Sequence, residues 1–203
     1  INYADWESEK TQSRLCYEVA RKHGKPVVIM EPIKGGALTT LSDETAAPLR
    51  ALEPETPLSE WALRFAMSLE GLVTVLSGMS SVELMKGNLA LLKSFRPMDE
   101  AGYKALEQVV ENIRAIPTIP CTACAYCMKG CPQNIAIPGA FAALNSYKVY
   151  HNLNTAKMMY FFPTVKEGHA KAGECIECGQ CEAVCPQGIA VIEELKQAAA
   201  LLD

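Results

Sequence analysis

The stretch CTACAYCMKGCP, residues 121–132, sets four cysteines at gaps of two, two and three residues and closes on a proline. It returns as CIECGQCEAVCP at residues 175–186. Both copies run on through Gln to an Ile-Ala pair, CTACAYCMKGCPQNIAI against CIECGQCEAVCPQGIAV. Three cysteines at two-residue gaps let a tight loop wrap three corners of a 4Fe–4S cube, with backbone N–H groups turned toward the sulfides. The fourth lies slightly too far along, and the proline turns the chain away. Two matched copies are far more specific than one. Eight of the nine cysteines fall in these groups, and only Cys16 lies before residue 121. Zinc and disulfides are the alternative readings. Structural zinc usually takes separated cysteine pairs, and disulfide frameworks belong to secreted chains. Four cysteines per group, not three, imply closed clusters that carry electrons or hold structure.

These motifs resemble the dicluster ferredoxin family, in which the fourth cysteine of each group ligates the other cluster. The resemblance implies one cluster on Cys121, Cys124, Cys127 and Cys185, and a second on Cys175, Cys178, Cys181 and Cys131. Such an exchange ties the two loops together through metal, so folding and cluster insertion are expected to be coupled. The gap from Cys131 to Cys175 is long for the compact βαβ form, and its surroundings read as helical. Pro138 can open a helix carrying Phe141, Leu144 and Tyr147. NTAKMMYFF can form a second helix up to Pro163, and Val191, Leu195 and Ala198 mark a last one. No convincing strand follows residue 117. Residues 117 to 195 therefore look more like the α-helical ferredoxin domains that sit inside larger oxidoreductases.

The chain has 203 residues, 49% of them hydrophobic, enough for one large domain or two small ones with real cores. The net charge of −4 and the scattered Lys and Arg argue against nucleic acid as the main ligand. No apolar run approaches the roughly 18 residues of a membrane helix. The opening INYADWESEK has neither the basic nor the apolar region of a signal peptide. These features predict a cytoplasmic protein with no membrane partner. All six arginines precede residue 117. Two oxidised clusters of about −2 each bring the loaded chain to about −8, which favours a redox partner protein with a basic surface.

Ahead of the cysteines, strand-like and helix-like pieces alternate. INYADW reads as a first strand. SEKTQSRLCYEVARKHG follows as a helix with Leu15, Cys16, Val19 and Ala20 on one buried face and Gly24 as its stop. PVVIMEP reads as a strand buried on both faces, and IKGGALTTLSDETAAP as a loop. Thr56 can cap a helix with Pro57 at its first position and Leu58, Trp61, Ala62, Phe65 and Leu69 inside. GLVTVLSG is a third strand, and SSVELMKGNLALLK a helix with Val82, Met85, Leu89 and Leu92 on one side. Residues 99–116 form another helix, lined by Leu106, Val109, Val110 and Ile113. Pro117 and Pro120 then set a boundary, giving domains at 1–116 and 117–203. The βαβαβα order implies parallel strands with helical crossovers. Three strands are few for such a sheet, so the expectation is the end of a longer protein.

The front region resembles the aldo/keto reductase family. EPIKGGALTT matches the loop after that family's seventh strand through Pro32, Gly36 and Leu38. VLSGMSSVELMKGN matches the eighth strand and its helix through Gly78, Ser80, Leu84 and Asn88. PLSEWALRFAMS is similar to the family's helix seven, and INYADW to its sixth strand. The resemblance implies an α/β region made of the last three βα units of a (β/α)8 barrel, followed by the all-α two-cluster region. It also implies an NADP(H) site at the strand ends. There Lys34, Gly35 and Gly36 would approach the pyrophosphate, Gly78, Met79 and Ser80 the adenosine end, and Asn88 the adenine. Met30 stands where the family usually stacks a Tyr on the nicotinamide. Leu84 stands where a basic residue often grips the 2′-phosphate, with Lys86 as a substitute, so NAD(H) stays open. The plain alternative is that KGG is a loop and SGMSS a helix start.

The family's catalytic Asp, Tyr, Lys and His come from its first four strands, so no catalytic residue is assigned in this chain. Tyr3 lies on the wrong strand. Cys16 reads as core packing, His23 as a helix-end charge, and His151 and His169 as exposed. Two functions remain. One is an enzyme that moves hydride between a nicotinamide and a carbonyl or alcohol, with electrons passing through the clusters. The other is a non-catalytic electron-transfer or structural module. Either leaves a barrel remnant that needs the missing barrel half or a second copy beside it.

Overall fold

Two short parallel strands, β1 (Val27–Ile29) and β2 (Leu72–Val75), make the one sheet among the described residues of the computed structural model, which are 1–9 and 11–203. Val27 stands opposite Leu72 and Ile29 opposite Val75, with an irregularity after Val27. Around them run α1 (Ser13–Lys22), α2 (Asp43–Leu52), α3 (Leu58–Met67), α4 (Val82–Ser94) and α5 (Glu100–Ala115). These elements form one compact unit, Ile1–Ala115; Ile116–Asp203 form a second.

The first unit is centred on α3. Its apolar positions recur at helical spacing, so Trp61, Ala62, Phe65 and Ala66 all bury. Trp6 meets Phe65 edge-on at 5.6 Å, and the Arg64 guanidinium lies 4.8 Å over Trp61 while bonding Glu53 at 2.9 Å. Pro57 occupies the cap position of α3, and Thr56 instead bonds Glu53 at 2.7 Å.

Several expectations fail here for local reasons. INYADW is not a strand. Asp5 N–H donates to Asn2 Oδ1 at 3.0 Å, and this turn competes with a sheet ladder. β1 is buried on one face only: Ile29 is fully buried, but Val28 is 50% and Met30 64% exposed. The expected loop before residue 49 contains α2. Ser42 Oγ caps it by accepting Thr45 N–H at 3.1 Å, and the burial of Ala46 and Leu49 outweighs the backbone bond lost at Pro48. Helix α1 packs through Tyr17, whose hydroxyl donates to Glu70 O at 3.0 Å and whose ring lies 5.5 Å from Trp6. Leu15, Cys16 and Val19 consequently face outward, and Cys16 is not core. Val82, Met85, Leu89 and Leu92 of α4 are exposed too.

The second unit is helical: α6 (Tyr126–Lys129), α7 (Ile137–Tyr150), α8 (Leu153–Phe161), α9 (Gln180–Ala183) and α10 (Val191–Leu202). A single bridge, Ile135 to Ala170, is its nearest approach to a sheet among the described residues. Phe141, Leu144, Val191, Leu195 and Ala198 form the core with Ile135 and Ile137. Gly139 allows α7 to pass the turn after α8, since a Cβ there would lie 2.7 Å from Pro163 Cγ. Asn145 grips both backbone groups of Ile119, at 2.8 and 2.9 Å, and so fixes the chain as it enters the first cysteine loop. Tyr160 and the Gly173 N–H both donate to the Asp203 carboxylate, at 2.7 Å each, which ties the end of α10 to the approach of the second loop.

Candidate functional site

The sequence repeat is a backbone repeat. Positions 54 residues apart, as Cys121 and Cys175 are, adopt matching conformations. Ala123, Ala125 and Asn134 have φ of 56°, 61° and 54°, and their counterparts Glu177, Gly179 and Gly188 have 56°, 75° and 61°. The internal hydrogen bonds also correspond. Met128 N–H reaches Ala125 O as Glu182 N–H reaches Gly179 O. Cys131 N–H reaches Met128 O as Cys185 N–H reaches Glu182 O, both at 3.2 Å. Left-handed residues between helical ones curl successive N–H groups into a concavity that favours anions, iron–sulfur groups included. Sequence reading missed this strain at Ala123, Ala125 and Glu177. The glycine of the second copy, Gly179, is the signal for the Ala125 position.

Two hollows result, each bordered by four cysteines. One, of about 330 Å³ including space open to solvent, is lined by Cys121, Cys124, Cys127 and Cys185. The other, of about 310 Å³, is lined by Cys175, Cys178, Cys181 and Cys131. Each brings three cysteines of one copy to the last cysteine of the other. Their remaining walls are largely apolar, Phe141, Ile189 and Val191 in the first, Ile135, Ile192 and Leu195 in the second. No group of three His, Cys, Asp or Glu among the described residues converges on a single-ion site. Zinc would need its sulfurs within about 2.3 Å of one point. Here the thiols surround a space, and this donor set fits a sulfide-bridged cube. Cys124 and Cys178 are exposed and Cys181 is buried. Burial pushes the Cys127 thiol up to about 11 and raises that of Cys181, so iron binding must displace protons here.

The Ala125 strain is testable. An L-residue in the left-handed region costs roughly 1–2 kcal/mol. Ala125→Gly is therefore expected to stabilise the second unit by about 1 kcal/mol, and Gly179→Ala to destabilise it by a similar amount, in denaturant unfolding of the full chain.

In the first unit a hollow of about 1440 Å³, counting open space, lies beyond the ends of β1 and β2. Gly35, Gly36, Gly78 and Asn88 line it, with Met30 and Leu84. Met79 lines the neighbouring groove between β2 and α4, and Ser80 is exposed. Lys34 is absent from the lining. Its ammonium is held by both carboxylate oxygens of Asp5, at 2.6 and 2.7 Å. The Lys34 and Gly36 N–H groups also donate within the turn, to Glu31 O and Ile33 O. Asn88 Nδ2 donates to Ser77 Oγ at 3.0 Å, which orients the amide at the edge of the hollow. Asp5 and Ser77 had no signal in the sequence. Of the histidines, His23 and His151 are exposed, while His169 is half-buried with its Nδ1 3.1 Å from Asn134 Oδ1.

Together, an α/β unit with a glycine-lined hollow and a helical unit with twinned four-cysteine loops define an iron–sulfur, oxidoreductase-like protein. Residues 1–111, more than half of the chain, match the model of the aldo/keto reductase family, and residues 120–190 that of the 4Fe-4S dicluster domain. The chain belongs to the aldo/keto reductase family. No curated protein and no solved structure matches it. No helix among the described residues is long and apolar enough to cross a membrane.

Proposed function

We propose that this chain is part of an NADP(H)-dependent oxidoreductase of carbonyl and alcohol groups that exchanges electrons through two 4Fe–4S clusters. The observation that carries the reading is the pair of hollows, each combining three cysteines of one repeat with the fourth of the other. Cys121, Cys124, Cys127 and Cys185 would hold one cluster, and Cys175, Cys178, Cys181 and Cys131 the second. Bound there, a cluster supplies one-electron transfer. The thiols must be kept reduced, which fits a cytoplasmic setting.

Residues 1–116 serve, in this reading, as the last βα units of a (β/α)8 barrel, with β1 and β2 as two of its strands, and residues 117–203 as a ferredoxin-like domain. The parallel pairing of β1 with β2 across helices supports it. So do the apolar faces left open on α1, α4 and both strands, which a barrel half or a second chain would cover. The nicotinamide would lie against Met30, with Gly35, Gly36 and Gly78 giving close backbone approach and Asn88 at the adenine. The family usually uses NADP(H). Lys34 can meet a pyrophosphate only by leaving Asp5, while Met79 lines the neighbouring groove and Ser80 is exposed. Hydride moves two electrons and each cluster one, so a flavin-like converter would stand between nicotinamide and cluster, and a redox partner protein would exchange electrons with the clusters.

Iron and acid-labile sulfide analysis of anaerobically prepared protein is expected to give about eight of each per chain, as two cubes require. Stoichiometric zinc without sulfide would overturn the reading. The Asp5–Lys34 pair favours a second reading, an iron–sulfur module without nicotinamide chemistry. NADPH fluorescence separates the two: enhancement on adding the full-length protein supports the reductase, and no change supports the module.

A further inference from the structure

The two cysteine loops share a backbone but not a charge. Across residues 172–197 the second copy carries Glu174, Glu177, Glu182, Glu193 and Glu194 against one lysine, Lys196, and Glu194 is paired with Lys148 at 3.1 Å. The aligned residues 118–143 of the first copy carry one charged side chain, Lys129. Glu177 and Glu182 stand inside the second loop where the first has Ala123 and Met128. The left-handed positions and internal hydrogen bonds correspond, so the backbone dipoles offered to the two hollows are alike and their effects cancel in a comparison. What differs is the side chains. Glu182 Oε1 accepts the Ile192 N–H at 2.9 Å, which fixes its carboxylate at the start of α10. Glu177 is paired with Lys196 at 3.0 Å, which offsets part of its charge, and both side chains are more than half exposed.

Resting on the two-cluster reading, we propose that the sites are unequal electron acceptors and that the second-repeat carboxylates, Glu177 and Glu182 foremost, set the order. Net charge and solvent exposure are the protein's levers on such potentials. An added electron is one more negative charge. It is disfavoured at the Cys131, Cys175, Cys178 and Cys181 hollow and rests first at the Cys121, Cys124, Cys127 and Cys185 hollow. Each step takes one electron from an external low-potential one-electron donor, which is oxidised by one, and no bond or proton moves. The second-repeat site is then the stronger reductant, and electrons entering there run toward the first.

The test is stepwise reduction of the full, iron-loaded chain with dithionite, followed by electron paramagnetic resonance, after iron and sulfide are counted. The wild type is expected to show two separate one-electron steps. Glu177→Gln and Glu182→Gln, the latter keeping an acceptor for the Ile192 N–H, raise the lower step and leave the upper one. Ala123→Glu, at a left-handed position that Glu177 already occupies in the other copy, lowers the upper step. One unsplit step at about eight iron per chain overturns the proposal alone. So does a shift of the upper step by Glu177→Gln. A lower iron count in the wild type overturns the two-cluster reading, and the proposal with it, before any potential is applied.

Discussion

Replacing Cys185 by alanine is expected to strip iron from the loop of the other repeat. In Cys185→Ala, iron and sulfide should fall to about half, since each cube needs four thiolates. The thiols freed should be Cys121, Cys124 and Cys127, although the substitution sits in the second loop. The reason is spatial: Cys185 borders the hollow of the first loop, while Cys131 borders that of the second. Alkylation of the anaerobic protein followed by peptide mass spectrometry reads the outcome directly. Label on Cys121, Cys124 and Cys127 with Cys175, Cys178 and Cys181 protected is the expected pattern. Cys131→Ala should invert it. Label on Cys175, Cys178 and Cys181 in Cys185→Ala would mean that each repeat keeps its own four ligands.

That crossing was implied in the sequence by resemblance, and the cysteine substitutions test it. Cysteine spacing is legible because three ligands in one loop obey local geometry, and local geometry is what a short motif encodes. The helices after residue 117 were legible for a similar reason, since Phe141, Leu144, Val191 and Leu195 recur at helical spacing and do bury. The front half was harder to read. Leu15 and Val19 repeat like a buried face, yet Tyr17 and its bond to Glu70 turn α1 the other way. Periodicity shows that a face is apolar, but the partner decides whether it is covered. Helix α2 was hidden by Pro48, a residue that breaks helices in isolation and is tolerated here because Ala46 and Leu49 pack inside. The salt bridge from Lys34 to Asp5 joins residues 29 positions apart, and no local pattern reports such a pair.

Removing the iron should cost the second unit its cooperative fold. Stabilities run at about 0.05–0.15 kcal/mol per residue, which places a unit the length of Ile116–Asp203 at roughly 4–13 kcal/mol. Structural zinc contributes about 10–16 kcal/mol in zinc-finger peptides, and thiolate ligation on that scale would match this whole margin. The loops also hold Ala123, Ala125 and Glu177 in the left-handed region at roughly 1–2 kcal/mol each, a cost that ligation of the neighbouring cysteines can offset. Helices α7, α8 and α10 have an apolar core of their own, so loss should begin in the loops and spread. Hydrogen exchange of the full chain, before and after chelation under mild oxidation, reads each unit separately. Residues 121–131 and 175–185 should lose protection first and α10 next, because its start is held by Glu182 from the second loop. Residues 43–67, which contain no cysteine, should keep theirs. Unchanged protection of both loops after complete iron loss would show that the polypeptide alone holds them, and that the clusters serve electron transfer without supporting the fold.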